Sequence, residues 1–587
     1  MKKIKTICFL LILIINVGFQ ISGEELSKGK NQKGLHLEYK IVVDRKSTKY
    51  FSINLVISGL QSRSLFLRMT NNYGQVKELN NLIPKLSFIS RGKKILGIER
   101  VNEFLWKVPV NSSKIEVNYL VNTQYPYSSL NMVRLPFRDE NHLCFPSSSV
   151  FIHPDEEYIL KNNIKINKIT IYFNPPLDWI AATTWGVDRF VFDLDPPSLK
   201  NLNEALVCAG NYDIYSFKVE DISVDTAVLF KDKEVSYFKT IGIQAIEQGL
   251  KSAFDIFHFF PVPKLFAMIH FVYEHPGRMN GNALECSVNL NCGPILNHKH
   301  QLEMASHIFA EIFHFWNGQV LNRGENKSVI WFTEGVTNYY RLKNMLSSGF
   351  IGEKEFLQFL SEEFNKVFHS PRCTDDLNEL SQDYYKDREA MTLTYSKGCC
   401  VTFALDLLIR EISSNKKSFD YVLKQMIKKY NFKENDNYYT HKDVDGTIKK
   451  ILGDSYFHIY KNLYGEDFIA EFKSILETAG LSILKKKGRP LYFGILNFGP
   501  PDGQVKILSI DRESPAYAAG LRSGDVLISI NGQKIKTTSS IKEILETIPK
   551  NEPVKLMIIR NEKKISLDTL WNSFATEYVI KKKENNI

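Results

Sequence analysis

From about residue 34 to 215 the chain runs in short stretches that alternate apolar and polar side chains. Examples are His36-Leu-Glu-Tyr-Lys-Ile-Val-Val, Tyr50-Phe-Ser-Ile-Asn-Leu-Val-Ile, Lys114-Ile-Glu-Val-Asn-Tyr-Leu-Val and Lys168-Ile-Thr-Ile-Tyr-Phe. A period of two is that of a strand with one face buried. Turn residues separate the runs, among them Pro175-Pro176 and Pro196-Pro197, so the pattern predicts an N-terminal β-sandwich-like domain over 34–215. From about 225 to 480 the period lengthens. Apolar positions recur at helical spacing over Ser236–Phe259, and Val262–Tyr273 reads as a strand behind a Pro-flanked turn. Helices are predicted over 300–320, 332–347, 353–369, 395–413 and 418–430, which makes this an α+β domain with a helical C-terminal part. The pattern changes again over 490–575. There Ser514-Pro-Ala-Tyr-Ala-Ala-Gly-Leu-Arg-Ser-Gly-Asp-Val-Leu-Ile-Ser-Ile-Asn-Gly packs a short helix, two glycine turns, an alternating strand and an Asn-Gly turn into one compact run. Lys485-Lys-Lys-Gly-Arg ahead of it reads as an exposed linker.

A chain of 587 residues exceeds what one core can organise, and its 44% hydrophobic and 24% charged residues are ordinary for globular domains. Residues 1–23 depart from that. Lys2, Lys3 and Lys5 precede an apolar run from Thr6 to Phe19, followed by Gln20, Ser22 and Gly23, the layout of a secretory signal. The run is shorter than the roughly 20 residues a membrane span needs, so the expectation is an exported protein, periplasmic or secreted, with membrane contact only if the segment stays uncleaved. Removing those three lysines lowers the formal charge from +10 to +7. The remaining cations are interspersed with acids rather than with aromatics, which argues against nucleic acid as a partner. Beyond Cys8, seven cysteines remain, an odd number with no Cys-x-x-Cys pair, so neither a disulfide framework nor a thiolate zinc site is indicated. Cys286 and Cys292 are near enough in sequence to pair in an oxidising compartment.

The chemistry concentrates in 305–340. Glu311 and His314 stand three apart, on one helix face, and Glu334 follows 20 positions after His314. In a His-Glu-x-x-His zinc peptidase two histidines at i and i+4 and a downstream Glu hold the metal, while the Glu beside the first His acts as general base. Here the frame reads Ala310-Glu311-Ile312-Phe313-His314, so the first ligand is alanine. His307 lies two helical turns, about 10 Å, before His314, too far to share an ion. Glu311 could ligate beside His314 only by giving up the base, and His298 and His300 only if the chain folds back.

Glu311 to Trp316 with Asn317, Trp331 to Tyr340, Tyr395-Ser-Lys-Gly and the C-terminal run, in that order, resemble the M61 family of glycyl aminopeptidases, and the run at Ser514 resembles a PDZ domain. The resemblance implies a thermolysin-like (gluzincin) catalytic domain holding one zinc ion. Carried over by position, it makes Glu311 the general base, His314 and Glu334 metal ligands, and Tyr395 a hydrogen-bond donor to the oxyanion. Gly281-Asn-Ala-Leu-Glu285 resembles the family's Gly-Gly-Leu-Glu-His strand, which places Gly281 and Glu285 at the substrate. The following His is Cys286 here, a second departure. Tyr492, Phe493, Gly494 and Ile495 resemble the PDZ loop that receives a peptide's C-terminal carboxylate. The leading expectation is an impaired or inactive peptidase that keeps peptide or protein-terminus binding through its cleft and PDZ groove. The alternatives are an active zinc aminopeptidase with an unorthodox third ligand, and a scaffold acting only through its PDZ domain.

Overall fold

The computed structural model describes residues 34–583 apart from 74–75, 125–132, 231–238, 272–278, 433–436, 493, 499–503, 550–551 and 571. The segment read as a secretory signal therefore lies outside the described residues.

The alternating runs at the N-terminus form sheets, as their period requires. Strand Gly34–Val42 sits inside a seven-stranded sheet, parallel to Lys165–Asn174 and antiparallel to Tyr50–Ser58. Its burial alternates strictly, with Leu35, Leu37, Tyr39 and Ile41 inward, so one face joins a core with Phe51, Ile53, Phe145 and Phe151. A five-stranded sheet that includes His142–Pro146 and Leu206–Gly210 closes over that core. Its other face meets the next domain, where Ala182, Leu206 and Cys208 pack on Phe266 and Met268.

The second region opens with a five-stranded sheet in the order Asp213–Val219, Ile222–Phe230, Lys264–Phe271, Ser287–Cys292, Met279–Leu284. Lys264–Phe271 is parallel to both neighbours and almost wholly buried, whereas Met279–Leu284 runs antiparallel at the edge. Cys286 and Cys292 stand at opposite ends of the extended Ser287–Cys292 segment, about 20 Å apart at 3.3 Å per residue. A disulfide needs its Cα atoms within about 7 Å, so the pairing suggested by sequence proximity does not occur.

Helices cover the sheet and then build outward. His298–Phe313 starts at Asn297, whose side chain accepts from His300 N at 2.9 Å. It buries Leu302, Ala305, Ile308, Phe309, Ile312 and Phe313 against Lys239–Phe257 and the sheet. Ile330–Ser347, Glu353–His369 and Arg388–Ile412 follow. Three shorter helices, His441–Leu452, Asp454–Tyr464 and Phe468–Thr478, complete the region beyond those the periodicity indicates.

The PDZ-like run folds as its residues dictate. Pro515–Ala518 is helical with Ser514 capping it, Gly520 and Gly524 take φ of +101° and +93°, and Asn531-Gly532 turns Val526–Ile530 into Gln533–Lys534. The supposed linker is a correction. Lys485 to Lys487 lie inside strand Leu481–Tyr492, which pairs antiparallel with the C-terminal strand Asn572–Lys582. The three exposed lysines alternate between the two faces of a ribbon that a partner nearly 100 residues away makes into a strand.

One ionic cluster ties four helices together. Glu363, 3% exposed, receives Arg341 at 3.1 Å, Lys366 at 2.8 Å and the Ser396 hydroxyl at 2.6 Å. Arg341 also donates to Asn338 at 2.6 Å and to Ser306. Burial alone would raise the Glu363 carboxyl, but the Lys366 and Arg341 cations outweigh it and hold it at about 2. Glu363→Ala leaves Arg341 unpaired in the interior and is expected to cost about 3 kcal/mol, read from the denaturant midpoint. Because the folded pKa is depressed, this contribution is full above the ordinary value of 4.5 and fades as pH falls toward 2. The gap between wild type and variant should close over that window.

Candidate functional site

His314 ends the helix that carries Glu311. Beyond it Asn317 takes φ −97°, ψ 72°, and the chain leaves the helical path. The buried Asn317 amide donates to Phe332 O, Thr333 O and Thr337 Oγ1 at 2.9, 3.1 and 3.2 Å, which pins this corner to the first turn of Ile330–Ser347. That positions Glu334 opposite His314, with Oε2 3.6 Å from Nε2. The other ring nitrogen, Nδ1, faces the Asn317 carbonyl at 3.1 Å. A carbonyl only accepts, so Nδ1 carries the proton and Nε2 is turned into the site, the orientation metal-ligating histidines have.

Tyr395 approaches from Arg388–Ile412. Its hydroxyl hydrogen-bonds Glu334 and lies 2.8 Å from the Tyr384 hydroxyl. Burial, with the Glu334 carboxylate, pushes the Tyr395 phenol far above its usual range, so it stays a proton donor. Two glycines make the approach possible. A Cβ on Gly335 would lie 2.5 Å from Gly398 Cα, and one on Gly398 would lie 2.8 Å from Gly335 Cα. Backbone meets backbone at that crossing, one residue from Glu334 and three from Tyr395.

Glu311 points to the edge strand of the sheet. Its carboxylate accepts from the Ala283 backbone and covers Gly281, where a Cβ would sit 2.5 Å from Oε1. Burial raises its carboxyl above the usual range, while the His314 ring opposes and Glu334 reinforces the rise. Arg134, from the N-terminal domain, adds a positive potential to both Glu311 and Tyr384. Tyr73 closes the same wall, its hydroxyl accepting from Asn282 Nδ2 at 2.5 Å. Glu285 follows the strand and is paired with Lys200 at 3.0 Å. Burial lowers the Lys200 ammonium, but the Glu285 hydrogen bond outweighs it and the net shift is upward.

The structure thus gathers Glu311, His314, Glu334, Tyr395 and Gly281 in one place, with Glu285 paired to Lys200 of the N-terminal domain. It leaves His307 elsewhere: half-buried, and pushed down to about 4 by desolvation, that ring feels the cations Arg341 and Lys366 rather than Glu311. His298 and His300 stay in the first turn of the helix, bonded to Gln301 and Leu296. In the PDZ-like domain Gly494 (φ +85°) packs on Ser514, and its carbonyl accepts from Asp511 N at 2.7 Å. Ile495 is buried beside it. Phe493 and the side chain of Tyr492 lie outside what is described. Sequence reading missed Tyr384, Lys200, Arg134 and Tyr73, which no motif marks.

A three-ligand zinc site does not fit this donor set. His314 and Glu334 supply two groups, while position 310, one turn before His314 on the same face, offers a methyl group. No three His, Cys, Asp or Glu side chains among the described residues converge to hold a metal.

A sheet-rich domain, a helical region bearing Glu311, His314 and Glu334, and a third small sheet-and-helix domain define an aminopeptidase-like fold with an appended PDZ domain. The comparisons agree. Residues 38–188 match the Peptidase M61 N-terminal domain, 300–401 the M61 glycyl aminopeptidase model and 485–570 the PDZ domain model. An aminopeptidase N family protein from Idiomarina loihiensis shares the fold, with a TM-score of 0.74 at 18% identity over 93% of this chain and 98% of that one. Two proteins described as probable periplasmic serine endoprotease DegP-like match shorter stretches. One, from Rickettsia prowazekii, is 29% identical over 105 residues, and one from Pseudomonas putida is 36% identical over 62. The matches span only 20% and 13% of those relatives' own lengths.

Two expectations follow. Gly398→Ala forces the two helices apart at backbone level and should destabilise the protein by about 2 kcal/mol, read from its denaturant midpoint. Glu311→Gln removes a carboxylate that burial disfavours. Because the folded pKa is raised, the wild type loses stability as pH rises from 4.5 through that folded value. The variant's Tm should therefore exceed the wild type's by roughly 2–3 °C at neutral pH and match it in acid.

Proposed function

We propose that this chain is an exported M61-type protein that binds peptides or protein termini in its cleft and PDZ groove without effective hydrolysis. The observation that carries the reading is Ala310 one turn before His314, with His314 Nε2 and Glu334 Oε2 facing each other at 3.6 Å. Zinc held by His314 and Glu334 alone would lack the third protein ligand that makes such sites tight. Glu311 would stand where a general base stands, and Tyr395 where an oxyanion donor stands, but Tyr395 is engaged with Glu334 and Tyr384. Gly281 and Glu285 would line the bound peptide. Glu285 is already neutralised by Lys200, so a substrate amine would have to displace an intramolecular one. The PDZ domain supports peptide capture at its own groove by strand addition, with Gly494 and Ile495 in the receiving loop. Export is supported by the N-terminal pattern of residues 1–23. Among the described residues no helix is long and apolar enough to cross a membrane.

The test is zinc stoichiometry and release of N-terminal residues from short peptides, compared between the wild type and Ala310→His. The expected result is sub-stoichiometric zinc and no chelator-sensitive turnover in the wild type, with zinc uptake gained by the variant. Stoichiometric zinc with chelator-sensitive turnover in the wild type refutes the reading. Lys200→Met should, in addition, tighten binding of peptides with free amino termini relative to N-acetylated ones, by about tenfold if the ion pair costs about 1.4 kcal/mol to displace. Equal affinity for both peptide forms in that variant would remove Glu285 from the binding site.

A further inference from the structure

Cys144 and Cys208 are 64 positions apart in sequence and directly opposite in the five-stranded sheet of the N-terminal domain. The pairing is antiparallel, His142–Pro146 against Leu206–Gly210. Its hydrogen-bond phase is fixed at both ends. Asn211 N donates to Asn141 O at 3.1 Å, and Ser147 N donates to Ala205 O at 2.8 Å. Directly opposed residues alternate between hydrogen-bonded and non-hydrogen-bonded pairs, so 141/211 and 147/205 are bonded pairs and 144/208, three steps from each, is a non-bonded one. Non-bonded pairs bring their Cα atoms to about 4.5 Å with side chains on the same face, inside the roughly 4.4–6.8 Å that a disulfide spans. The two thiols already hydrogen-bond one another, and both are sealed from solvent. Of the other five cysteines described, Cys286 and Cys292 flank the length of one strand, Cys399 and Cys400 are helix neighbours, and Cys373 takes the Arg512 guanidinium on its sulfur at 2.7 Å, whereas Cys144 and Cys208 are directly opposed.

We infer that Cys144 and Cys208 are joined as a cross-strand disulfide when the chain folds in an oxidising environment. The step is thiol–disulfide exchange: two thiols lose two protons and two electrons to form one S–S bond, and one disulfide of a small-molecule or protein oxidant is reduced to two thiols. The buried Cys208 thiol is held far above its ordinary pKa by burial and by Cys144. The exchange therefore takes place before the sheet closes over the pair. The bond lies at the seam between domains. Cys144 and Cys208 pack with Ala182 on one side and with Leu229, Phe266 and Leu284 of the catalytic sheet on the other. Leu284 immediately precedes Glu285, so the staple fixes the wall on which the cleft's edge strand rests.

The experiment is refolding of the full chain from denaturant in buffers of graded reduced and oxidised glutathione, then acid quench, alkylation and non-reducing peptide mapping. Cys144 and Cys208 peptides are expected as one linked species whose fraction rises with the oxidised ratio. The oxidised protein should melt about 5 °C or more above the reduced one, since the bond closes a 64-residue loop. Cys208→Ala should leave Cys144 alkylated and make Tm indifferent to the redox buffer. If that variant does not fold, the wild-type map alone decides. Recovery of both residues alkylated from folded protein at every ratio overturns the inference, as does linkage of either to another cysteine.

Discussion

The arrangement of the cleft depends on one buried ion pair, Arg341 with Glu363. Ser306 lies on the helix that bears Glu311, Arg341 on the helix that bears Glu334, and Ser396 beside Tyr395 on a third. Glu363, on a fourth helix, answers all three, directly or through Arg341. A carboxylate removed from water is costly unless several donors meet it, and here three do. The result is a fixed geometry for helices whose apolar faces alone would tolerate sliding.

That geometry holds these side chains together through protein contacts alone. His314, Glu334 and Tyr395 are each engaged with another residue of the site, so none is left as an uncompensated buried group. The asparagine corner at 317 and the Gly335–Gly398 crossing hold the backbones in place independently of any ion.

Much of this was legible in the sequence because it is local. The helix Glu353–His369 coincides with the predicted 353–369, and the turn glycines around 520–532 predict their own φ values. The alternation of Leu35 to Ile41 gives the buried face directly. What was not legible is pairwise and distant. Lys485 to Lys487 read as a solvated linker because the strand that recruits them lies near residue 577. Lys200 and Glu285, 85 positions apart, carry no shared motif, nor do Tyr384 and Tyr395 beyond being tyrosines. Cys286 and Cys292 misled for the converse reason: nearness along the chain becomes distance once the segment is extended.

The same logic joins the PDZ domain to the cleft. His369, the last residue of the Glu363 helix, is buried between Asp511 at 3.1 Å and the Thr576 carbonyl at 2.6 Å. Arg512 donates its N–H to His369 O and lays its guanidinium over Phe368. Ser523 bonds Glu389, in the first turn of the Tyr395 helix. Gly494 is bonded to Asp511 and packed on Ser514. Segment 511–514 therefore both packs on the turn at Gly494 and docks the domain on the helix. It rests on the end of the helix whose middle carries Glu363. The PDZ domain and the Glu363 cluster are therefore built on one helix, six residues apart, and moving the domain relative to that helix must break the buried contacts at His369.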